Sequence, residues 1–395
     1  MRQICLIGVT GVAPGRLCGR IGGVSQTWAE RAAAAEAAVL RRHHARLWGL
    51  PGTRLGVVAW PARPRERRFA GWHYWWQAHL LDCLIDAQLR DPQPQRRRRI
   101  VHQIRGHRLR NTLRWTNDYY DDMAWLALAL ERAGRLVGVR RDHALARLAD
   151  ELLGAWVPED GGGIPWRKPD QFFNTPANGP AGIFLARYGR LRRAQQMADW
   201  IDETLVDPET HLVFDGIKAG SLVRAQYTYC QGVVLGLETE LAARTDDPRH
   251  AARVHRLVAA VRAQLTDDAG VVTGGGGGDG GLFNGILARY LALVATALPG
   301  DTGADAAARA GARTVVLASA RAAWDNRAEV DGLPVFGPAW GRPARVPAAA
   351  DRAAEFVDGA VNPSEVPERD LSVQLSGWML LEAAHALTPE EERSP

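Results

Sequence analysis

The stretch Trp115-Thr-Asn-Asp-Tyr-Tyr-Asp-Asp-Met-Ala-Trp-Leu-Ala-Leu-Ala129 decides how the chain is read. Residues 123–130 are apolar on every face of a helix, and such a helix is surrounded by protein rather than laid on a surface. Two adjacent carboxylates, Asp121 and Asp122, stand at its edge. Ionised carboxylates are costly there unless they are paired, hydrogen-bonded or open to a cleft. Side by side they also repel, which raises one pKa. That suits acid–base chemistry. The same residues, with Asp118, equally suit the capping of a helix and its dipole. The local sequence leaves both readings open, and the surrounding chain has to separate them.

Outward from this stretch the pattern is helical almost throughout. Helices are expected over residues 26–47, 72–89, 92–113 and 141–153, and in pairs over 174–188 with 192–205, 227–243 with 249–265, and 282–297 with 304–324. A last one covers 371–387. Counting the Asp-Asp helix, this makes about twelve. They alternate in character: those around Trp72, Met123, Gly182, Tyr229, Phe283 and Gln374 are apolar nearly all round, and the others are amphipathic and arginine-rich. Strand signals are almost absent, apart from a short hairpin within residues 208–221. Six hairpins of one buried and one half-exposed helix predict an all-α fold, an (α/α)6 barrel with inner helices ringed by outer ones. No cross-repeat motif is evident, so an open helical solenoid is the alternative. Residues 1–23 read as an irregular or disordered segment and 24–390 as one barrel. The polar loops at one end of such a ring would surround a cleft.

Composition narrows the function. The chain has 395 residues, 46% hydrophobic, enough for a large core. Its net charge of +5 is carried almost wholly by arginine, with Lys168 and Lys218 the only lysines. Spread along the chain, this excess gives no reason to expect nucleic acid, and the dense run at 96–99 reads as a solvated helix face. An acidic membrane surface or glycolipid is the alternative for that run. Cys5, Cys18, Cys83 and Cys230 show neither a disulfide framework nor zinc-ligand spacing, and the eleven histidines fall mostly where a solvated role is expected. No metal site or cofactor is expected. No apolar run is read as membrane-spanning, and the first residues make a poor signal peptide because Gly8, Gly11 and Pro14 break the apolar part. A cytoplasmic monomer is the expectation, with secretion open if the start codon is misassigned.

The loops expected at one rim share a chemistry. Residues 161–167 offer glycine backbone beside Trp166, and residues 173–178 set the amides of Asn174 and Asn178 at a helix start. Asp215, Tyr227, Tyr229 and Gln231 add an acid, two phenols and an amide, while the glycine run 274–281 reads as a flexible loop. Amides, carboxylates and aromatic faces are what a sugar needs. Asn174 is also a natural helix cap and Trp166 a natural core residue. No G-x-S-x-G nucleophile and no phosphate loop is present.

Tyr-Tyr-Asp-Asp-Met-Ala-Trp, residues 119–125, resembles the signature of glycoside hydrolase family 76, the endo-α-1,6-mannanases. Supporting blocks follow in order at residues 74–78, 161–166, 174–178, 215–217, 227–232 and 283–291, so that the resemblance spans roughly 70–385. It implies an (α/α)6 barrel that hydrolyses α-1,6-mannosidic backbones with retention, with Asp121 as nucleophile and Asp122 as acid/base. Tyr120, Trp125, Trp166, Asn174, Asn178, Asp215, Tyr227 and Gln231 are the expected substrate-binding set, and α-mannan or a mannose-bearing glycan or glycolipid the expected partner. Retaining hydrolysis needs carboxyl groups about 5–5.5 Å apart. Neighbours on a regular helix diverge by about 100°, so the pair is expected at a helix start with incompletely helical backbone. Their mutual repulsion is expected to help keep one of them neutral.

The chain departs from the family pattern in having Cys230 where asparagine is usual, Asn284 where lysine is usual, and an altered stretch between Trp166 and Asn174. Three other readings therefore stand beside hydrolysis: transglycosylation through the same carboxylates, a sugar epimerase on the same barrel, and a glycan-binding barrel without catalysis.

Overall fold

A computed structural model describes residues 26–158 and 162–388. The expected segment 1–23, with Cys5 and Cys18, lies outside the described residues, as does Gly161. The helices are α1 (Trp28–Arg42), a short α2 (Pro64–Arg67), α3 (Tyr74–Arg90), α4 (Pro94–Arg110), α5 (Tyr120–Val137), α6 (Asp142–Gly154), α7 (Thr175–Arg187), α8 (Leu191–Thr204), α9 (Thr228–Ala242), α10 (Pro248–Gln264), α11 (Phe283–Ala297), α12 (Gly303–Asp325) and α13 (Leu371–Ala386).

The apolar helices α3, α5, α7, α9, α11 and α13 each pack on the next, and α13 packs back on α3. That last contact closes the ring and excludes the open solenoid. Outside them, α4, α6, α8, α10 and α12 lie against the inner helix that precedes each, while α1 covers α13. The sixth hairpin is thus assembled from the two ends of the chain. An (α/α)6 barrel results, as the alternation of helix character requires.

Small residues set the spacing of the inner ring. A Cβ on Gly179 would come within 2.4 Å of Val233, and one on Gly285 within 2.7 Å of the Ser376 backbone. The inner helices therefore approach more closely than larger side chains allow. The core they enclose runs from Ala32 to Leu387. The stretch Gly278–Ala297 is, contrary to the sequence reading, long and apolar enough to cross a membrane, with a mean hydropathy of 1.3. Here it is α11 and the turn before it, and its apolarity is that of an inner helix most of whose residues are buried.

Among the described residues the strands are short pieces of loop. β1 (His44–Ala45) pairs with β2 (Leu55–Gly56), and β6 (Ala328–Val330) with β7 (Leu333–Val335). β3 (Phe172–Asn174), β4 (Gly216–Lys218) and β5 (Ser221–Val223) form one antiparallel sheet, whose β4–β5 turn falls within the stretch expected to hold a hairpin, with β5 running just past it. β8 (Glu355–Val357) and β9 (Ala360–Asn362) make a hairpin inside the proline-rich segment before α13, where the sequence suggested none.

Candidate active site

The amino-terminal ends of the inner helices and the loops leading into them surround a cavity of about 670 Å³. Its wall takes Trp72, His73 and Trp75 from the start of α3, Asn117 to Tyr119 with Asp121, Asp122 and Trp125 from α5, and Asn174 from the edge of α7. Tyr227, Tyr229 and Phe283 come from α9 and α11, and Phe356, Gly359, Ala360 and Val361 from the β8–β9 hairpin.

Asp121 and Asp122 occupy the first turn of α5, with Tyr119 as an extended N-cap residue. The pair is at a helix start as expected, but inside the helix rather than in irregular backbone. Hydrogen bonds rather than distortion orient it. Asp121 accepts from the indole N–H of Trp166 at 2.9 Å through one oxygen and from the backbone N–H of Asp122 at 2.8 Å through the other. Asp122 accepts from the side-chain amide of Asn117 at 2.5 Å, and the other end of that amide accepts from the backbone N–H of Tyr119.

Burial raises both carboxyl pKa values, and for Asp122 the charge of Asp121 adds to it. Asp122 stands well above the ordinary carboxylate range. Asp121 is raised too, but the N–H groups of Asp122 and Trp166 oppose the rise by favouring its charged form. The pair is therefore biased toward an ionised Asp121 beside a protonated Asp122. Removal from water is the larger cause and mutual repulsion the smaller.

A third carboxylate faces them. Asp279 accepts from the indole N–H groups of Trp75 and Trp76 at 3.0 and 2.9 Å and from the backbone N–H of Val361 at 2.7 Å. It ties α3 to the β8–β9 hairpin. Burial pushes its pKa up to about 6 against those three bonds, and its charge raises Asp121 and Asp122 in turn.

Asp279 stands in the glycine run expected to be flexible. The part of the run before Asp279 is packed instead, with Gly277 and Gly278 buried. Gly278 has φ +57°, and a Cβ there would meet the Val361 carbonyl at 2.0 Å. Asp370 accepts from the Gly278 N–H at 2.7 Å, and the Ser372 hydroxyl donates to the Gly278 carbonyl at 2.6 Å.

Across the cavity, burial pushes Asp215 up to about 6, and its side-chain donor is the Cys230 thiol at 3.8 Å. Aromatic faces fill the intervening wall. Tyr229 stacks on Phe283 with centroids 3.9 Å apart, and Trp75 on Trp125 at 6.3 Å. Tyr227 is exposed at the rim. Buried acids beside flat apolar surface form a site for a polyhydroxylated ring and for proton transfer to it.

The model of glycosyl hydrolase family 76 matches residues 27–352. The chain belongs to glycosyl hydrolase family 76. Among solved structures it is similar to the GH76A α-1,6-mannanase of Salegentibacter sp. HEL1_6, at 27% identity and a TM-score of 0.75, over 92% of this chain and 100% of that one. An inactive variant of that enzyme, with two adjacent aspartates replaced by asparagine, is in complex with α-1,6-mannotriose; the match is 28% identical with a TM-score of 0.74, over 91% and 99% of the two chains. A Listeria innocua protein matches at 26% identity and a TM-score of 0.74, over 92% and 98%. None of the curated proteins matches.

The cavity of this family 76 glycoside hydrolase does not gather every residue expected at its site. Asp121, Asp122, Trp125, Trp166, Asn174, Asp215 and Tyr227 line the cavity; Tyr120, Asn178 and Gln231 do not. Asn178 is fully buried, accepting from the Ile164 N–H and donating to the Ile164 and Asn174 carbonyls. Gln231 does the same for Val213, which it clamps through both N–H and carbonyl. These amides fasten loops to inner helices and have nothing left for a ligand. Tyr120 packs against the core with the Lys168 ammonium 5.5 Å from its ring centroid. Gly162 and Gly163 face the rings of Trp156 and Trp200, not the cavity.

Asn174 serves as a cap, accepting from the Ala177 N–H at 3.1 Å, while also lining the wall. Asp118, left out of the site on sequence grounds, lines it too. Several histidines are buried rather than solvated; His73 lines the cavity, and burial lowers it to about 4. Asn284 lies outside the cavity, its carbonyl oxygen taking the Thr228 hydroxyl at 2.8 Å.

Proposed function

We propose that the chain is a retaining, endo-acting hydrolase of α-1,6-linked mannan, with Asp121 as nucleophile and Asp122 as acid/base. The observation that carries this reading is the unequal environment of two adjacent buried carboxylates. Asp121 is held for attack by two N–H donors, and Asp122 is kept protonated by burial and by its neighbour's charge. Two titratable groups pushed apart in this way define an acid and a nucleophile.

In the first step Asp122 gives its proton to the departing glycosidic oxygen while Asp121 bonds to the anomeric carbon. In the second, Asp122, now ionised, takes a proton from water as that water displaces the Asp121 ester. Asp215, Trp166, Tyr227 and the Tyr229–Phe283 stack would hold the rings on either side of the broken bond. The similar Salegentibacter enzyme is an α-1,6-mannanase, which supports the linkage. A cavity open along a rim of loops supports attack within a chain.

Incubation with linear α-1,6-mannan and sizing of the products tests this reading. A falling ladder of oligosaccharides is expected from the wild type and none from Asp121→Asn. Release of mannose alone would overturn the endo mode, and products longer than the substrate would mean transglycosylation.

A further inference from the structure

We propose that the face built from the β1–β2 connection, α2 and α4 is a docking surface for an anionic phospholipid bilayer. The charge is far less evenly spread than the whole-chain total suggests. Residues 37–81 and 92–117 together hold sixteen arginines and a single acid, Glu66, so the remainder of the chain is net acidic. Glu66 is itself engaged, by Arg369 at 3.2 Å. Of the acids that border these segments, Glu36, Asp82 and Asp91 are likewise held by arginines, and Asp118 lines the cavity.

The two segments form one surface. The Arg54 N–H donates to the His102 carbonyl at 3.0 Å, and the Arg105 guanidinium lies 3.5 Å from where a Cβ of Gly52 would stand. Arg46, Arg68, Arg98 and Arg105 are exposed and enter no ion pair among the described residues. The field of Arg46, Arg98 and Arg105 is felt, with that of Arg54, by His102, whose pKa is lowered by its burial and by these four arginines.

Apolar groups stand out of the same surface. Trp48 is 54% exposed and Leu50 42%, on a connection held in place by the Trp48 indole N–H donating to the Arg68 carbonyl at 3.0 Å. Unpaired arginines around a projecting indole and leucine match a bilayer interface, with phosphate outside and acyl chains beneath. A nucleic acid would meet the charge but has no use for the exposed Leu50. The surface also reaches the cavity: Phe69, next to Arg68, accepts from Arg110 at 3.0 Å, and Arg110 lines the mouth. Docking would bring that mouth to glycans carried at the bilayer, a consequence that rests on the mannan-hydrolase reading, whereas the docking does not.

The test is sedimentation of the full chain with vesicles of phosphatidylcholine alone and of phosphatidylcholine mixed with phosphatidylglycerol. Binding is expected only to the mixed vesicles, and release as salt is raised. Each arginine replaced by glutamine is expected to weaken partitioning about fivefold. The fourfold variant of Arg46, Arg68, Arg98 and Arg105 should lose it, with hydrolysis of a soluble oligosaccharide unchanged. Arg105→Gln alone gives the same direction if the fourfold variant does not fold. Trp48→Ala is expected to weaken binding by an amount that salt does not alter. Equal sedimentation with both vesicle types or with neither, or a fourfold variant that binds as the wild type does, would overturn the proposal. Binding to duplex DNA without binding to the mixed vesicles would overturn it in favour of nucleic acid.

Discussion

The inner ring and the loops that enter it hold acids in two places, under opposite electrostatic regimes. At the mouth, Asp121, Asp122, Asp215 and Asp279 are withdrawn from water with no arginine or lysine against them. Farther along the inner helices, Asp82 and Asp86 of α3 lie between Arg132 of α5 and Arg289 of α11, with Arg289 bonded to Asp86 at 2.7 Å. Burial would raise Asp82 as it does Asp121, but the two guanidinium groups hold it down to about 2. Glu382 is the exception: burial takes it up to about 7 despite Arg90. One scaffold thus pairs its acids where they only join helices, and leaves them unpaired where a proton has to move.

This contrast predicts opposite responses to mutation. Asp121→Asn should remove turnover while leaving Tm unchanged or raised, because a group that resists ionisation has been made neutral. Arg289→Met should do the reverse in kind, lowering stability by about 3–5 kcal/mol by leaving Asp82 and Asp86 to share Arg132 alone. Denaturant unfolding of the two variants, beside their activity, measures both. Equal destabilisation by the two would break the comparison.

Asp122→Asn is expected to cost about 10²–10⁴-fold in kcat, the range of a general acid. A substrate with a good leaving group should recover much of the first step.

Asp279→Asn removes a charge that raises both members of the pair, and weakens the three bonds by which Asp279 ties α3 to the β8–β9 hairpin. Activity should fall as Asp121 gains a proton on the acid side and as Asp122 loses one on the alkaline side. Both limbs of the pH–rate profile should therefore move to lower pH in the variant. An unmoved profile with lowered kcat would leave Asp279 a purely structural role.

Asp215→Asn sharpens the contrast through stability alone. The folded-state pKa, pushed up to about 6, lies above its unfolded value, so protonation favours the fold. The wild type loses that contribution as pH rises from the ordinary carboxylate range to about 6. The variant should gain about 3 kcal/mol at neutral pH, with the gain vanishing in acid.

Much of this was legible in the sequence because it is local. The period and polarity of each helix announce the ring, and an Asp-Asp pair abutting an all-apolar helix announces the site. What was missed depends on contacts distant in sequence. Asp279 hides in a glycine run whose composition suggests freedom, yet Gly278 is glycine because the carbonyl of Val361 leaves no room for a Cβ. Asn178 and Gln231 look like ligands at helix starts, and only the fold shows their amides spent on Ile164 and Val213. Asn117 stood in the opening stretch, but its bond to Asp122 needs the turn that brings the two together. The charge of the basic face was visible as a count, and its concentration on one surface was not.

The most direct test of the account is the configuration of the first sugar released. Proton NMR of α-1,6-mannan during digestion, read before mutarotation, should show the α-anomer of the new reducing end, since attack by Asp121 and then by water inverts the same carbon twice. A β-anomer formed first would contradict a covalent role for Asp121.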